Sequence, residues 1–439
     1  MSFVILFSGI VILILLISWF KLNAFLAFLL VSMGIGFANG MPVAAITDSM
    51  QKGLGDLVGS LIIILVVGAM LGKLIADQGA AQRIVSTLMN KFGRRYMVWA
   101  LVITAFIVGI PLFYGIGFVL MVPLVITLSY KYDIPAVYIG LPMLAALSVT
   151  HGYLPPHPSP VALVKQYHAD LGLTLLYGLV AAIPAVIIAG PVFSLSLKKY
   201  KQKPLATFAG KPMEESELPG LADSLIAALL PVFLIAVATV IRLSGIGENG
   251  LTRFLLALGD PVVALLLTLL YGIYALVLKR GKKLGPCMVS LGEAAKDISV
   301  ILLIIAGAGA LNQVLTDSGT GRQIAAAAQG FHRYPIIAAW GIAAFIRVCL
   351  GSATVAGLTA AGIMAPMVAG SGVNPSLVVL ATGAGSLMFS HVNDGGFWMF
   401  KEYFNLSIRD TIKTWSLMET IVSIVGLLAV LGLSLVITH

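Results

Sequence analysis

The sequence predicts an all-α polytopic membrane protein built from two inverted repeats. Three observations carry that expectation. Of 439 residues, 59% are apolar and only 10% charged, with a mean hydropathy of +1.03, whereas a soluble chain carries about a quarter charged residues. Several stretches, among them Phe3 to Phe20 and Leu57 to Ala76, reach the roughly 20 apolar residues that cross a bilayer. Segments of the second half also repeat segments of the first at one spacing: Asp77, Gly79 and His151 recur as Asp317, Gly319 and His391.

The start "MSF" has no basic region before its apolar run, so the opening stretch reads as a span rather than a cleaved leader. The basic loops then set direction. "KKYKQKP" (Lys198 to Pro204), "KRGKK" (Lys279 to Lys283) and the loop with Arg83, Lys91, Arg94 and Arg95 belong in the cytoplasm if Lys/Arg bias governs orientation. Two spans, near 222–243 and 260–278, fit between the first two loops. Both termini then lie outside. The net charge of +9 is explained by these loops and calls for no nucleic acid. Cys287 and Cys349 give neither a disulfide framework nor zinc spacing; no metal or cofactor is expected.

The repeat gives the domain division: 1–197, a cytoplasmic linker 198–221, and 222–439. "LIADQGAAQRI" (Leu74 to Ile84) matches "VLTDSGTGRQI" (Val314 to Ile324), and "SVTHGY" (Ser148 to Tyr153) matches "MFSHVN" (Met388 to Asn393). The span near 57–77 runs inward and its partner near 297–317 outward, which makes the repeats inverted, as in many secondary transporters. Within each half lies a segment of two short apolar arms around a glycine-rich tip: Val98–Tyr130 around "GIPLFYGIG", and Pro335–Gly370 around "GSATVAG". Arms this short suit re-entrant hairpins better than two full crossings, though two tight crossings stay open. Each half also holds a helix broken in mid-membrane, at "SVTHGYLPPHPSP" (Ser148 to Pro160) and at "SHVNDGGFW" (Ser390 to Trp398). Long spans, Leu171–Leu197 and Thr414–Ile437, follow. The total is about ten transmembrane helices, two re-entrant hairpins and two broken helices.

Prolines and polar groups at membrane depth are tolerated only where protein or a water-filled cavity satisfies them, so paired breaks point to a binding site. Arg347, four residues before "GSATV", has a planar fork suited to a carboxylate; a structural salt bridge or a carbonyl clamp competes with that role. Asp394 could accept a proton or bind hydroxyls, with Asn393 and His391 beside it. His151 and His157 in the first break could titrate near neutral pH or brace the broken helix. Ser159, Ser352 and Thr354 offer hydroxyls, Thr354 being equally able to bond within its own helix. Gly351 leaves backbone N–H groups within reach. Lys401 and Glu402 read as a surface pair, and His168, His332 and His439 as solvated. There is no G-x-S-x-G, H-E-x-x-H or Walker A motif, and "GIGENG" (Gly245 to Gly250) lacks a strand–helix context. An intramembrane enzyme would need a nucleophile–base arrangement, and a channel could not concentrate its substrate; both rank below a transporter.

"SVTHGYLPPHPSP", "LGSATVAG" and "FSHVNDGGFWMFKEYFNL" together resemble the gluconate permease (GntP) family, and matching blocks run from "FKLNAFLAFLL" (Phe20 to Leu30) to "SLMETIVSIVGLL" (Ser416 to Leu428). The resemblance implies the ion transporter superfamily fold with its inverted repeats, hairpins and broken helices. It implies import of gluconate or a related sugar acid across the bacterial inner membrane with protons, some relatives carrying D-serine. It also implies a small organic anion as partner within the lipid bilayer, protons or else sodium as coupling ion, and a homodimer by superfamily analogy. Tyr114, in the first hairpin, joins the expected substrate-binding residues. His151, His157, His391 and Asp394 are the expected proton-coupling groups. Three positions depart from the family pattern: Gly115 stands where "FYEVGF" has an acid, Ser159 where "PPHPGP" has glycine, and Gly395 where "NDPGFW" has proline.

Overall fold

A computed structural model describes residues 2–93, 96–200, 202–204, 213–244, 249–320, 334–369 and 371–437. Arg94, Arg95, His332, His439, most of "GIGENG", Gly370, the end of the 314–324 repeat match and part of the 198–221 linker lie outside these residues. Every regular element among the described residues is helical, as a chain in hydrocarbon requires when each backbone N–H and C=O must be paired within its own segment.

The helices are α1 (Ser2–Ile14), α2 (Ala24–Ala38), α3 (Val43–Asp77), α4 (Ala80–Phe92), α5 (Met97–Gly109), α6 (Tyr114–Tyr132), α7 (Ala136–Tyr153), α8 (Pro158–Gln166) and α9 (Leu171–Lys199). They continue with α10 (Leu221–Leu243), α11 (Gly250–Leu258), α12 (Pro261–Leu276), α13 (Leu284–Asp297), α14 (Ser299–Asp317), α15 (Pro335–Leu350), α16 (Ala353–Val368), α17 (Pro375–Gly385), α18 (Gly395–Tyr403) and α19 (Ile408–Val436). Among the described residues, seven helical segments are long and apolar enough to cross a membrane. Three further segments of the expected ten are shorter: α1, α2, and α17–α18, where nine residues of non-regular chain interrupt the second break. The two expected hairpin segments are helix pairs: α5 and α6 have 13 and 19 residues, about 20 and 28 Å long, and α15 and α16 have 16 residues each.

Two long elements pack antiparallel along their length. α3 meets α13–α14 with the start of one beside the end of the other. Ser49 Oγ, early in α3, donates to Asp317 at the end of α14 (2.7 Å), while Ser290 Oγ, early in α13, donates to Asp77 at the end of α3 (2.5 Å). Asp77 also pairs with Lys73 at 3.1 Å, which accounts for that lysine within an apolar helix. In each contact a serine early in one element meets the aspartate that ends the other, the aspartates lying 240 residues apart and the serines 241. The helices approach most closely at Gly53 and Gly309, where a Cβ on either glycine would strike the other's carbonyl. Small residues at such crossings let two backbones touch.

Hairpins and breaks cross over between the halves. Phe118 of α6 lies edge-on to Tyr403 of α18, ring centroids 5.3 Å apart, and Gly357 of α16 faces Ser159 of α8. The second arm of each hairpin therefore packs on the other half's short half-helix. The two broken helices touch directly, because a Cβ on Gly383 in α17 would strike the carbonyl of Gly152 in α7.

The Gly53–Gly309 crossing gives a direct test. Gly309→Ala should cost about 1–3 kcal/mol through overpacking and lower the thermal midpoint of the purified protein in detergent. Gly59→Ala, on the same α3 but with open space where its Cβ would go, should hold or raise the midpoint, since alanine is the better helix former. Equal midpoints for both variants would remove the crossing as a fixed contact.

Candidate functional site

Each hairpin's first arm ends in mid-protein and leaves carbonyls with no helical partner. In the first half, His157 Nε2 lies 2.7 Å from the Gly109 carbonyl at the end of α5. In the second half, His391 Nε2 lies 2.9 Å from the Val348 carbonyl near the end of α15, and Asn393 Nδ2 donates to the same oxygen at 2.8 Å. A carbonyl only accepts, so both Nε2 atoms carry hydrogen. The breaks thus satisfy the hairpins. The sequence pairs His391 with His151, but the structure gives its counterpart role to His157. The shared offset tracked chain position, while the clamp depends on where the side chain reaches.

The second half adds a charged network. Arg347, 4% exposed, donates Nη1 to the Gly351 carbonyl and Nη2 to Asp394 Oδ2 at 2.5 Å. Asp394 Oδ2 also accepts from Ser390 Oγ, and Oδ1 caps α18 by accepting from Gly396 N–H at 3.0 Å. Trp415 Nε1, in the π-helical turn Ile412–Ser416 of α19, donates to Ser390 Oγ at 2.8 Å. Gly351 has φ +77°, and a Cβ there would strike the Asn393 backbone, so only glycine fits. Its N–H donates to Arg347 O at 2.9 Å, which makes Gly351 a helix cap and commits the amide that the sequence left within reach. The salt bridge and the carbonyl clamp proposed for Arg347 are both present. Only Nε remains without a partner.

The other candidates divide between bonded and free. Ser352 caps α16 through a long contact from Val355 N–H (3.4 Å). Thr354, in the next turn, makes no hydrogen bond among the described residues, so its hydroxyl is not spent on its own helix. Tyr114 packs near His151 (5.9 Å) and Trp415 (6.2 Å), and His151 near His157 (5.4 Å). Tyr114 Oη, His151 Nδ1, Ser159 Oγ and Asn393 Oδ1 are buried atoms without a partner. Four helices, α6, α8, α16 and α18, begin at the hairpin tips and breaks, and those of α6 and α8 carry no side-chain cap. Gly115, in the first turn of α6, faces open space. Lys401 and Glu402 form the expected pair at 2.7 Å.

Sequence reasoning missed Glu419. It is 2% exposed in α19, and its Oε1 accepts from Ser148 Oγ at 2.5 Å. The available signal was an acid inside the last apolar span, "WSLMETIVSIVGLL", where any ionisable residue is a functional candidate.

A multi-span helical bundle with interrupted helices meeting in its interior is the build of a membrane transporter. The fold of solved transporters agrees. The Alcanivorax borkumensis YdaH transporter superposes with a TM-score of 0.69 at 13% identity, covering 94% of this chain and 98% of that one. MtrF of Neisseria gonorrhoeae, described as of a class of antimetabolite efflux pumps, gives 0.69 at 15% over 90% and 85%. The GntP family permease profile matches residues 1–436, and the chain belongs to that family. Similar relatives are the high-affinity gluconate transporter of Escherichia coli strain K12, 47% identical with both chains fully covered, and the gluconate permease of Bacillus subtilis strain 168, 46% identical over the same extent. The Gnt-II system L-idonate transporter of Escherichia coli is 45% identical over 99% of this chain and all of its own. The chain is a permease and not an enzyme.

Removing one partner from a buried ion pair leaves the other uncompensated. Arg347→Gln should therefore destabilise the protein by about 3–5 kcal/mol. The double variant Arg347→Gln/Asp394→Asn should recover at least about 1 kcal/mol of that loss. Thermal melts of the two singles and the double decide it; additive losses would show that the pair is not coupled.

Proposed function

We propose that this chain imports gluconate or a related small hydroxy monocarboxylate by proton symport with alternating access. The observation that carries the reading is the meeting of two interrupted helices and two hairpin tips at one place, with polar atoms left free there. It is supported by the names of full-length relatives, which specify gluconate and L-idonate. A sugar acid needs two kinds of recognition. Its hydroxyls can bond to Tyr114, Ser159, Thr354 and Asn393. Its carboxylate suits the uncapped start of α6, where first-turn amide N–H groups and the helix dipole favour an anion; at α8, Pro158 and Pro160 leave only the Ser159 N–H in the first turn, and His151 lies beside both. Arg347 contributes its free Nε–H and holds the second hairpin tip in register through Asp394.

The same reading places the chain in the bacterial inner membrane with both termini outside. The inverted halves would supply the two access states: hairpins and half-helices move as one body against the α3/α13–α14 pair. The antiparallel contact of those elements and the exchanged Ser–Asp bonds support that division.

In proteoliposomes, gluconate uptake should rise several-fold under an inward proton gradient and fall when the gradient is collapsed. Uptake that follows a sodium gradient and ignores the pH difference would replace the proton with sodium.

Orientation has its own test. Cys287 is buried, so a reporter is better placed at exposed Lys283 in the "KRGKK" loop. In a Cys287→Ser/Cys349→Ser background, Lys283→Cys should resist a membrane-impermeant thiol reagent added to right-side-out vesicles and react once they are opened. Labelling from outside would reverse the topology.

A further inference from the structure

One carboxyl in the interior has no cation. Glu419 lies in α19, one helical turn beyond Trp415, and is 2% exposed. Oε1 accepts the Ser148 hydroxyl hydrogen at 2.5 Å; Oε2 is buried without a partner. Among the described residues Glu419 forms no ion pair. Asp394 is its opposite, with donors from Arg347, Ser390 and Gly396 on its two oxygens. The charged and titratable groups facing Glu419 are Tyr114 of α6, Tyr153 of α7, and the Arg347–Asp394 pair; His151 lies one turn along α7 from Ser148. Tyr153 is already committed, its hydroxyl donating to Val422 O at 2.5 Å.

We propose that Glu419 is the site that binds the coupled proton. The inference rests on the reading of the chain as a proton symporter and names the group that such coupling uses. The histidines of the two clamps are poor carriers. Their Nε2–H bonds hold the Gly109 and Val348 carbonyls, and turning either ring away to exchange a proton would orphan a buried acceptor. Asp394 is held by a guanidinium and caps a helix. Among the carboxyls of the site Glu419 alone has a free oxygen and no counter-charge, and a buried charge without a partner is tolerated poorly; His151 also keeps a free buried nitrogen, but among the described residues no hydrogen bond couples its ring to another helix as Ser148 couples Glu419 to α7. The step is simple in atoms. The carboxylate takes one proton from water on the side of higher proton activity, forming an O–H bond at Oε2. After the access change, that bond breaks and the proton returns to water on the other side. The placement links the event to substrate, since Glu419 is tied through Ser148 to the helix that enters the first break and stands one turn from the Trp415–Ser390 bond of the second.

The test compares wild type with Glu419→Gln, which keeps the shape and an oxygen for Ser148. Two assays in proteoliposomes use labelled gluconate: accumulation driven by one unit of pH difference, and exchange against unlabelled gluconate at equal pH. Wild type should accumulate up to about tenfold, the limit for one proton per substrate. Glu419→Gln should reach a ratio of about one while exchange continues and loses its pH dependence. Accumulation by Glu419→Gln equal to wild type would overturn the assignment and leave proton symport standing. A wild type that ignores the pH difference would overturn the symport reading itself. If Glu419→Gln does not fold, Glu419→Asp and Ser148→Ala decide the matter. Both keep an acid with an altered hydrogen bond, and should displace the pH midpoint of uptake by roughly half a unit or more. An unmoved midpoint in both would sink the proposal.

Discussion

A peptide carbonyl at the end of a helix in mid-membrane has no water to turn to. This constraint organises the rest of the structure. Interrupted helices bring backbone helix ends to membrane depth, yet every interruption orphans backbone groups at several kcal/mol each. Here one interruption satisfies the other: in each half the broken helix donates a histidine N–H to the hairpin, at Gly109 in one half and at Val348 in the other. With those carbonyls occupied, the remaining free polar atoms can face a ligand.

The second half carries a heavier brace than the first. Arg347, Asp394, Ser390 and Trp415 form one continuous chain of donors and acceptors from the hairpin tip through the break to α19. The first half has no charge in its brace. Instead it has aromatic packing among Tyr114, His151 and His157 and unpartnered atoms on those same side chains. The charged brace thus belongs to the second half and the aromatic one to the first.

Much of this plan was legible in the sequence because it rests on length and punctuation. Short apolar arms around "GIPLFYGIG" and "GSATVAG" marked the hairpins, and prolines beside histidines marked the first break. The antiparallel partner of α3 followed from one repeat offset. What the sequence hid is contact. It could not show that the Arg347 fork is filled by Asp394 and Gly351, since three residues far apart in the chain meet only when hairpin and break dock. Nor could it show that His157 rather than His151 matches His391, because the clamp is set by side-chain reach over a few ångströms. Glu419 was overlooked for a different reason. The missing acid at Gly115 drew attention to the hairpin tip, while an acid embedded in a long apolar run read as part of a span.

The crossed packing of the hairpins has a consequence for how the chain is made. The Ser159 face of α8 receives its cover from Gly357 of α16, and Phe118 of α6 receives its cover from Tyr403 of α18. As the chain leaves the ribosome, the first half is therefore inserted with both of these surfaces bare; the Ser159 face waits 198 further residues for its cover and Phe118 waits 285. Biogenesis of the N-terminal half is unfinished until the C-terminal half arrives, and a truncated product would present the insertion machinery and its proteases with an unlidded seam.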